Sequence, residues 1–327
     1  MQCVKCAAPL SETQHFCEEC GAQVRPAMAT AVAPTNAQSH ICQCSLATMN
    51  PDANGFCQNC GLHTRLQRPS PNIVKFDEAT DLGLVSDIGR HHPVNQDAGI
   101  VGRSPTGAVL MVVADGVSSS DKADLASATA VAAAYKVMEA ATDDESADAV
   151  VRRAIDAANA AVKAIPRTNP HLEEPETTIV LALVRKNLAT LAWVGDSRVY
   201  AVSSKHSAVH TRDDSWLADA VESGKMTLQE AQADNRAHSI TQCLGMLDSD
   251  ISIHVREITL EPDTWLLVCT DGLWNYYDHP TALASAVAQA APDSDAFELC
   301  QHLVKLANLA GGYDNITVGA YHSSRCK

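Results

Sequence analysis

The chain has few aromatic residues, no excess of basic residues and no long apolar run. Only 4% of its 327 residues are Phe, Trp or Tyr. The core must therefore be built from smaller aliphatic side chains, and Ala supplies much of the 46% apolar share. Lys and Arg number 24 against 39 Asp and Glu, a formal charge of -15. That balance argues against nucleic acid or an anionic membrane as the main partner, because counterion release needs clustered cations. The longest apolar stretches, such as Ile179–Val184, are strand-sized and fall short of the ~18 residues that span a bilayer. The first residues lack the basic-then-apolar order of a secretory leader. Together these absences point to a cytoplasmic chain, about two domains long at roughly 150 residues each.

What the chain does have is cysteine, unevenly placed. Eight of its 12 cysteines lie in the first 60 residues. They form four close pairs: Cys3 and Cys6, Cys17 and Cys20, Cys42 and Cys44, Cys57 and Cys60. The first two pairs form C-x2-C twice, a spacing that brings four thiolates to one tetrahedral zinc. Gly21 and Gly61 follow the last Cys of each set, where a knuckle turn needs a residue without a side chain. The second set opens with C-x-C, and His40 is a possible substitute ligand there. Disulfides or a redox dithiol are the other readings of such pairs; a chain with no leader fits disulfides poorly, and two-residue spacing strains the bridge. Two structural Zn2+ ions are therefore expected, in ribbons at 1–21 and 40–61. A ribbon this short has no core, so the metal supplies its folding free energy. Residues 22–39 and 62–74 carry Pro without periodicity and read as linkers.

From residue 75 to 324 an apolar, β-type run repeatedly stops at an Asp. Ala108–Ala114 leads into Asp115-Gly116, Leu188–Val194 into Gly195-Asp196, and Trp265–Thr270 into Asp271-Gly272; Asp314-Asn315 precedes the strand-like Ile316–Tyr321. Continuous apolar runs of this length suit strands buried in stacked sheets. A single Asp at a strand end is most often a turn residue. Four together are not, because carboxylates gathered at one sheet edge repel one another unless a cation offsets them. Hard oxygen ligands suit Mg2+ or Mn2+, and two such ions can clamp an oxyanion and acidify a water. Ala-rich helices are expected at 121–141 and 143–165, with Pro166 closing the second, and shorter ones at 215–223, 227–233, 281–290 and 295–309. Strands grouped apart from helices indicate an α+β layered domain.

In order, the pieces Ser86-Asp87-Ile88-Gly89, Asn95-Gln96-Asp97-Ala98, Val113-Ala114-Asp115-Gly116, Thr177-Thr178, Gly195-Asp196-Ser197-Arg198, Ser239-Ile240-Thr241 through Leu244-Gly245, Thr270-Asp271-Gly272-Leu273 and Asp314-Asn315-Ile316-Thr317 resemble the metal-dependent serine/threonine phosphatases of type 2C. The likeness covers roughly residues 77–322. It implies a four-layer α/β/β/α sandwich, two antiparallel sheets flanked by helices, behind the two zinc ribbons. It also implies a dinuclear Mn2+ or Mg2+ centre, with a third, weaker metal in bacterial members. By that resemblance Asp115 bridges both ions, the Gly116 carbonyl binds one, Asp271 and Asp314 hold the other, Asp97 supports a coordinated water and Asp196 faces the third. The implied reaction is in-line attack of a metal-bridging water on a phosphoserine or phosphothreonine ester. The implied partners are phosphorylated proteins and a cognate bacterial Ser/Thr kinase.

Several positions depart from the family pattern. His92, with Arg90 two residues earlier, stands where an Arg usually grips phosphate, and only Arg offers a bidentate fork. Gln96 stands where an acidic metal-supporting residue is usual; its amide can bind a metal or water but brings no charge. The turn after Asp115-Gly116 is Val117-Ser118-Ser119-Ser120 instead of Gly-rich, no His flanks it, and Asn275 replaces an acidic partner of the third metal. The alternative function is a catalytically weak phosphatase-like protein that binds phosphoproteins or acts as a scaffold. A metal-dependent nuclease would share the acids but needs a basic surface. Of the 24 basic and 39 acidic residues, four of each lie in 1–72, so the remainder carries 20 against 35 and the whole -15.

Overall fold

The computed structural model describes residues 81–323 except 238, 248–249 and 291–293. The expected zinc ligands of the first ribbon, Cys3, Cys6, Cys17 and Cys20, lie outside the described residues. So do those of the second, Cys42, Cys44, Cys57 and Cys60, together with His40 and both linkers. Ten strands and seven helices follow in the described part of the chain. They begin with β1 (Leu82–Asp87), β2 (Asp97–Arg103), β3 (Val109–Asp115), α1 (Ala123–Glu139) and α2 (Ala147–Lys163). Next come β4 (Ile179–Arg185), β5 (Leu188–Val194), β6 (Arg198–Val202), β7 (Ser207–Val209), α3 (Trp216–Glu222) and α4 (Leu228–Gln232). The last are β8 (His254–Thr259), β9 (Trp265–Cys269), α5 (Asp271–Trp274), α6 (Pro280–Ala288), α7 (Ala296–Ala310) and β10 (Ile316–His322).

The strands form two five-stranded sheets, ordered β1-β10-β9-β6-β7 and β2-β3-β4-β5-β8, and every pairing is antiparallel. Strand β3 shows why its sequence is apolar throughout. Val109, Met111 and Val113 join Val184, Leu191, Leu266 and Val268 in the cluster between the sheets. Leu110, Val112 and Ala114 point the other way, onto Ala126, Ala130, Met138 and Ile155 of α1 and α2. Alternate side chains face opposite sides, and both sides are buried. On the outer face of the other sheet, Val85, Leu267 and Val318 pack against Leu283, Leu299 and Leu303 of α6 and α7. The result is the expected layering of helices, sheet, sheet, helices.

Some local expectations needed correction. Asp121 does not open α1: the cap is Lys122 in the left-handed region, at φ 54. The Asp121 carboxylate instead accepts from the backbone N–H groups of Thr168 and Asn169, closing the loop after α2. The short helix α5 begins at Asp271 itself, where no helix is expected from the sequence.

Candidate functional site

Antiparallel pairing in both sheets brings five acids to one edge. Asp97 opens β2 and Asp115 closes β3, and the two stand directly opposite in the ladder. Like charges so placed are destabilising on their own. Asp196 lies in the turn from β5 to β6, Asp271 is the first residue of α5 just beyond β9, and Asp314 stands two residues before β10. The charges of Asp97, Asp271, Asp314 and Asp196 all act on Asp115, which puts the five in one neighbourhood.

Their electrostatics follow from burial and crowding. Burial, then the charges of Asp97 and Asp271, push Asp115 well above the usual carboxylate range. Burial, then Asp314 and Asp196, do the same to Asp271. Burial and Asp314 raise Asp97 to about 7, against the opposing hydrogen bond from Thr270. Asp196 is raised to about 7 by burial and by Asp213. Asp115, Asp196 and Asp271 keep part of their surface open, which leaves them reachable from solvent. A like-charge pair about 4 Å apart costs about 4 kcal/mol at an effective dielectric constant near 20. Several such pairs rival the ~5–15 kcal/mol that stabilises a whole domain, so protons or cations must offset them.

The donors fit hard divalent cations. Asp97 Oδ1 and Asp271 Oδ1 are buried and have no hydrogen-bond partner, an arrangement that a cation completes. Among the described residues no three His, Cys, Asp or Glu side chains close into a ready-made cage. Mg2+ does not require one, since it keeps several waters and needs only one or two carboxylates. A Cβ on Gly116 would come within 2.3 Å of the Ala123 carbonyl oxygen and 2.8 Å of the Gln96 carbonyl oxygen, so only glycine lets the chain turn there. Gly272 is equally confined, its notional Cβ lying 1.9 Å from the Asn315 carbonyl oxygen.

The other sequence candidates fall around this edge. His92 Nε2 lies 3.4 Å from Asp314 Oδ1, while its neighbour His91 stacks on Tyr313 with centroids 4.6 Å apart. Arg90 lies against Gly312, donating its backbone N–H to the Gly312 carbonyl at 2.7 Å, and its Nε is buried without a partner. The Gln96 side chain is engaged with Ser118, accepting from its hydroxyl at 3.0 Å. Asn275 Nδ2 donates to Asp271 Oδ2 at 3.1 Å.

Sequence reasoning missed the polar residues that hold these acids. Asn315 accepts from Gln96 N–H at 2.7 Å and donates to the carbonyls of Ile88 and Val94, tying the 88–97 loop to the start of β10. Thr178 Oγ1 accepts from Asp115 N–H at 3.1 Å and lies 2.8 Å from Ser197 Oγ. Both residues are visible in the sequence only as parts of short motifs. Their partners are far away along the chain, and no local signal names them.

Comparison with known proteins agrees with this fold. The family described as Protein phosphatase 2C matches residues 89–307. Protein phosphatase PhpP of Streptococcus pneumoniae is 29% identical over 241 residues, covering 73% of this chain and 95% of its own. The solved serine/threonine phosphatase of S. agalactiae superposes with a TM-score of 0.65 at 26% identity, covering 74% of this chain and 98% of the other. The catalytic domain of the phosphatase PstP, solved in complex with two manganese ions, superposes with a TM-score of 0.60 at 27% identity and covers 73% and 96%.

Proposed function

The chain belongs to the protein phosphatase 2C family and is a metal-dependent serine/threonine protein phosphatase; we propose that it hydrolyses phosphoserine and phosphothreonine at the acidic edge of its two sheets, opposing a bacterial Ser/Thr kinase. The observation that carries this placement is the Asp97–Asp115 pair, set opposite each other in one ladder with Asp271, Asp314 and Asp196 around them.

Asp115, the Gly116 carbonyl, Asp271 and Asp314 would hold two Mn2+ or Mg2+ ions, Asp196 a third, with Gln96 offering a neutral amide. When bound, such ions neutralise charge on the phosphoryl group and lower the pKa of water toward neutrality. The chain's own residues then have distinct tasks. Asp97 Oδ1, unpartnered and buried, is placed to accept a proton from water, while Thr270 Oγ1 fixes the other oxygen at 2.8 Å. Arg90 and His92 flank the edge on the Gly312–Asp314 side, where they would meet the phosphate. No His stands beside Asp115-Gly116, so the leaving alkoxide takes its proton from water.

The test is turnover of p-nitrophenyl phosphate and of a phosphothreonine peptide with added Mn2+. Asp115→Asn should lower kcat by about 10²–10³. Failure of the wild type on both substrates would overturn the proposal. Phosphopeptide binding without Mn2+-dependent turnover would instead mark the scaffold reading, which the substitutions at His92 and Gln96 favour.

For the N-terminal arm, the cysteine spacing supports two zinc ribbons that tether the phosphatase to partner proteins. Cys3, Cys6, Cys17 and Cys20 would hold one ion, and Cys42, Cys44, Cys57 and Cys60 the other. Only Lys5, Arg25, Arg65 and Arg68 are basic across 1–72, thin support for a nucleic-acid role. Deleting 1–72 should leave p-nitrophenyl phosphate turnover unchanged and alter phosphoprotein choice. Zinc content of the intact arm, measured by atomic emission, should be two per chain; a metal-free arm contradicts the ribbons.

A further inference from the structure

The segment 215–253 leaves the sheets after β7 and returns at β8, and its two ends meet. Asp214 is 5% exposed, and its Oδ1 lies 2.8 Å from His254 Nε2. Its Oδ2 accepts from Gln242 Nε2 at 3.0 Å and from Gly195 N–H at 2.9 Å. In return the Asp214 N–H donates to the Gly195 carbonyl at 3.0 Å. Both peptide groups of Gly195 are therefore fixed by one residue. Gly195 has φ 103, and a Cβ there would meet Thr178 Cβ at 2.7 Å, so the turn is clamped between Thr178 and Asp214.

The next residue in the turn is Asp196. Its far side is held as firmly: Ser197 Oγ lies 2.8 Å from Thr178 Oγ1, and Arg198 makes a two-pronged pair with Asp213 at 2.9 and 2.6 Å. The dipeptide Asp213-Asp214 thus grips the Gly195–Arg198 turn at both ends. Asp214 is held in its turn by residues of the excursion. Gln242 also exchanges bonds with the backbone of Ser252, at 3.0 and 2.5 Å. The His254 ring stacks on Trp193 with centroids 5.1 Å apart, opposite it in the ladder.

We propose that Asp214 is a positioning residue for Asp196, and that His254 and Gln242 set it at the neck of the 215–253 excursion. A carboxylate suits the place because it accepts from three donors at once, and charge-assisted bonds are about twice as strong as neutral ones. The consequence for turnover rests on the phosphatase reading; the grip on the turn does not. Two measurements separate them. In the metal-free chain, amide hydrogen exchange followed by NMR should show Gly195 deprotected in Asp214→Ala while Val180 and Leu181 in β4 stay protected. With saturating Mn2+, kcat for p-nitrophenyl phosphate should fall by about 10-fold or more with KM unchanged, the usual cost of losing a residue that orients a ligand. Asp214→Asn, which keeps an acceptor for Gly195, should restore most of both.

If Asp214→Ala does not fold, His254→Gln reads the same coupling, with partial loss of Gly195 protection and a lower kcat. Persistent Gly195 protection in folded Asp214→Ala, or unchanged kcat once that protection is lost, overturns the proposal. So does His254→Gln indistinguishable from wild type in both measurements. A wild-type chain without turnover would count against the phosphatase reading, and the exchange data would still decide whether Asp214 holds the turn.

Discussion

Replacing Asp97 by Asn should stabilise the chain when divalent cations are removed, and the gain should grow with pH. Asp97 is 7% exposed; one oxygen accepts from Thr270 and the other has no partner. Burial, and behind it the charge of Asp314, lift its pKa from 3.8 to about 7. The folded chain therefore keeps a proton there that the unfolded chain releases above pH about 4. The stability this proton contributes is fully present below about 3.8 and is lost as pH rises through about 7. At about 1.4 kcal/mol per pH unit the complete loss is on the order of 4 kcal/mol, an upper figure because the neighbouring acids share protons. Asn keeps an acceptor for Thr270 and has no proton to lose. In EDTA Asp97→Asn should lead by only about 1.5 kcal/mol in urea unfolding near pH about 5, and by up to about 4 kcal/mol near pH 8. Restoring Mn2+ should shrink that lead, because the cation then offsets the charge. A gap of the same size at both pH values, or a less stable Asn variant at the higher one, would refute the reasoning.

Leu181→Ala should cost about 2–5 kcal/mol in urea unfolding, since Leu181 is fully buried between its sheet and helices α1 and α2; a loss below about 1 kcal/mol would mean the site collapses around the gap. His92→Arg should lower KM for p-nitrophenyl phosphate several-fold, because a guanidinium offers the phosphate a fork that imidazole lacks; an unchanged KM counts against His92 as the phosphate contact. Mn2+ binding should release protons and tighten as pH rises through neutrality, since Asp115 and Asp271 are both held well above the usual carboxylate range and must lose their protons to bind. Titration calorimetry in buffers of different ionisation enthalpy checks this, and heats independent of buffer would contradict it.

Much of the fold can be read along the chain because burial on both sheet faces leaves uninterrupted apolar runs. Leu188–Val194 is expected as a strand from such a run, and β5 occupies those same residues. Strand β8, His254–Thr259, escapes that reading because it is an edge strand with Arg256 and Glu257 exposed, so its composition resembles a loop. Helix α5 has four residues, too few to show a period. The acids are legible because Asp beside Gly ends three apolar runs in recognisable order. Asp214, His254, Thr270 and Asn315 are not, because each acts across a gap in sequence that only the folded sheets close: His254 lies 40 residues from Asp214, and Thr270 lies 173 from Asp97.

Strand β10 is the last strand in chain order, yet it lies between β1 and β9 in its sheet, and Asp314 stands just ahead of it. While the chain is being synthesised, the middle of that sheet stays vacant until this segment leaves the ribosome. Until then β1 and β9 each present an unpaired edge, the kind of surface that invites aggregation and chaperone attention. The same delay keeps the acidic edge one carboxylate short.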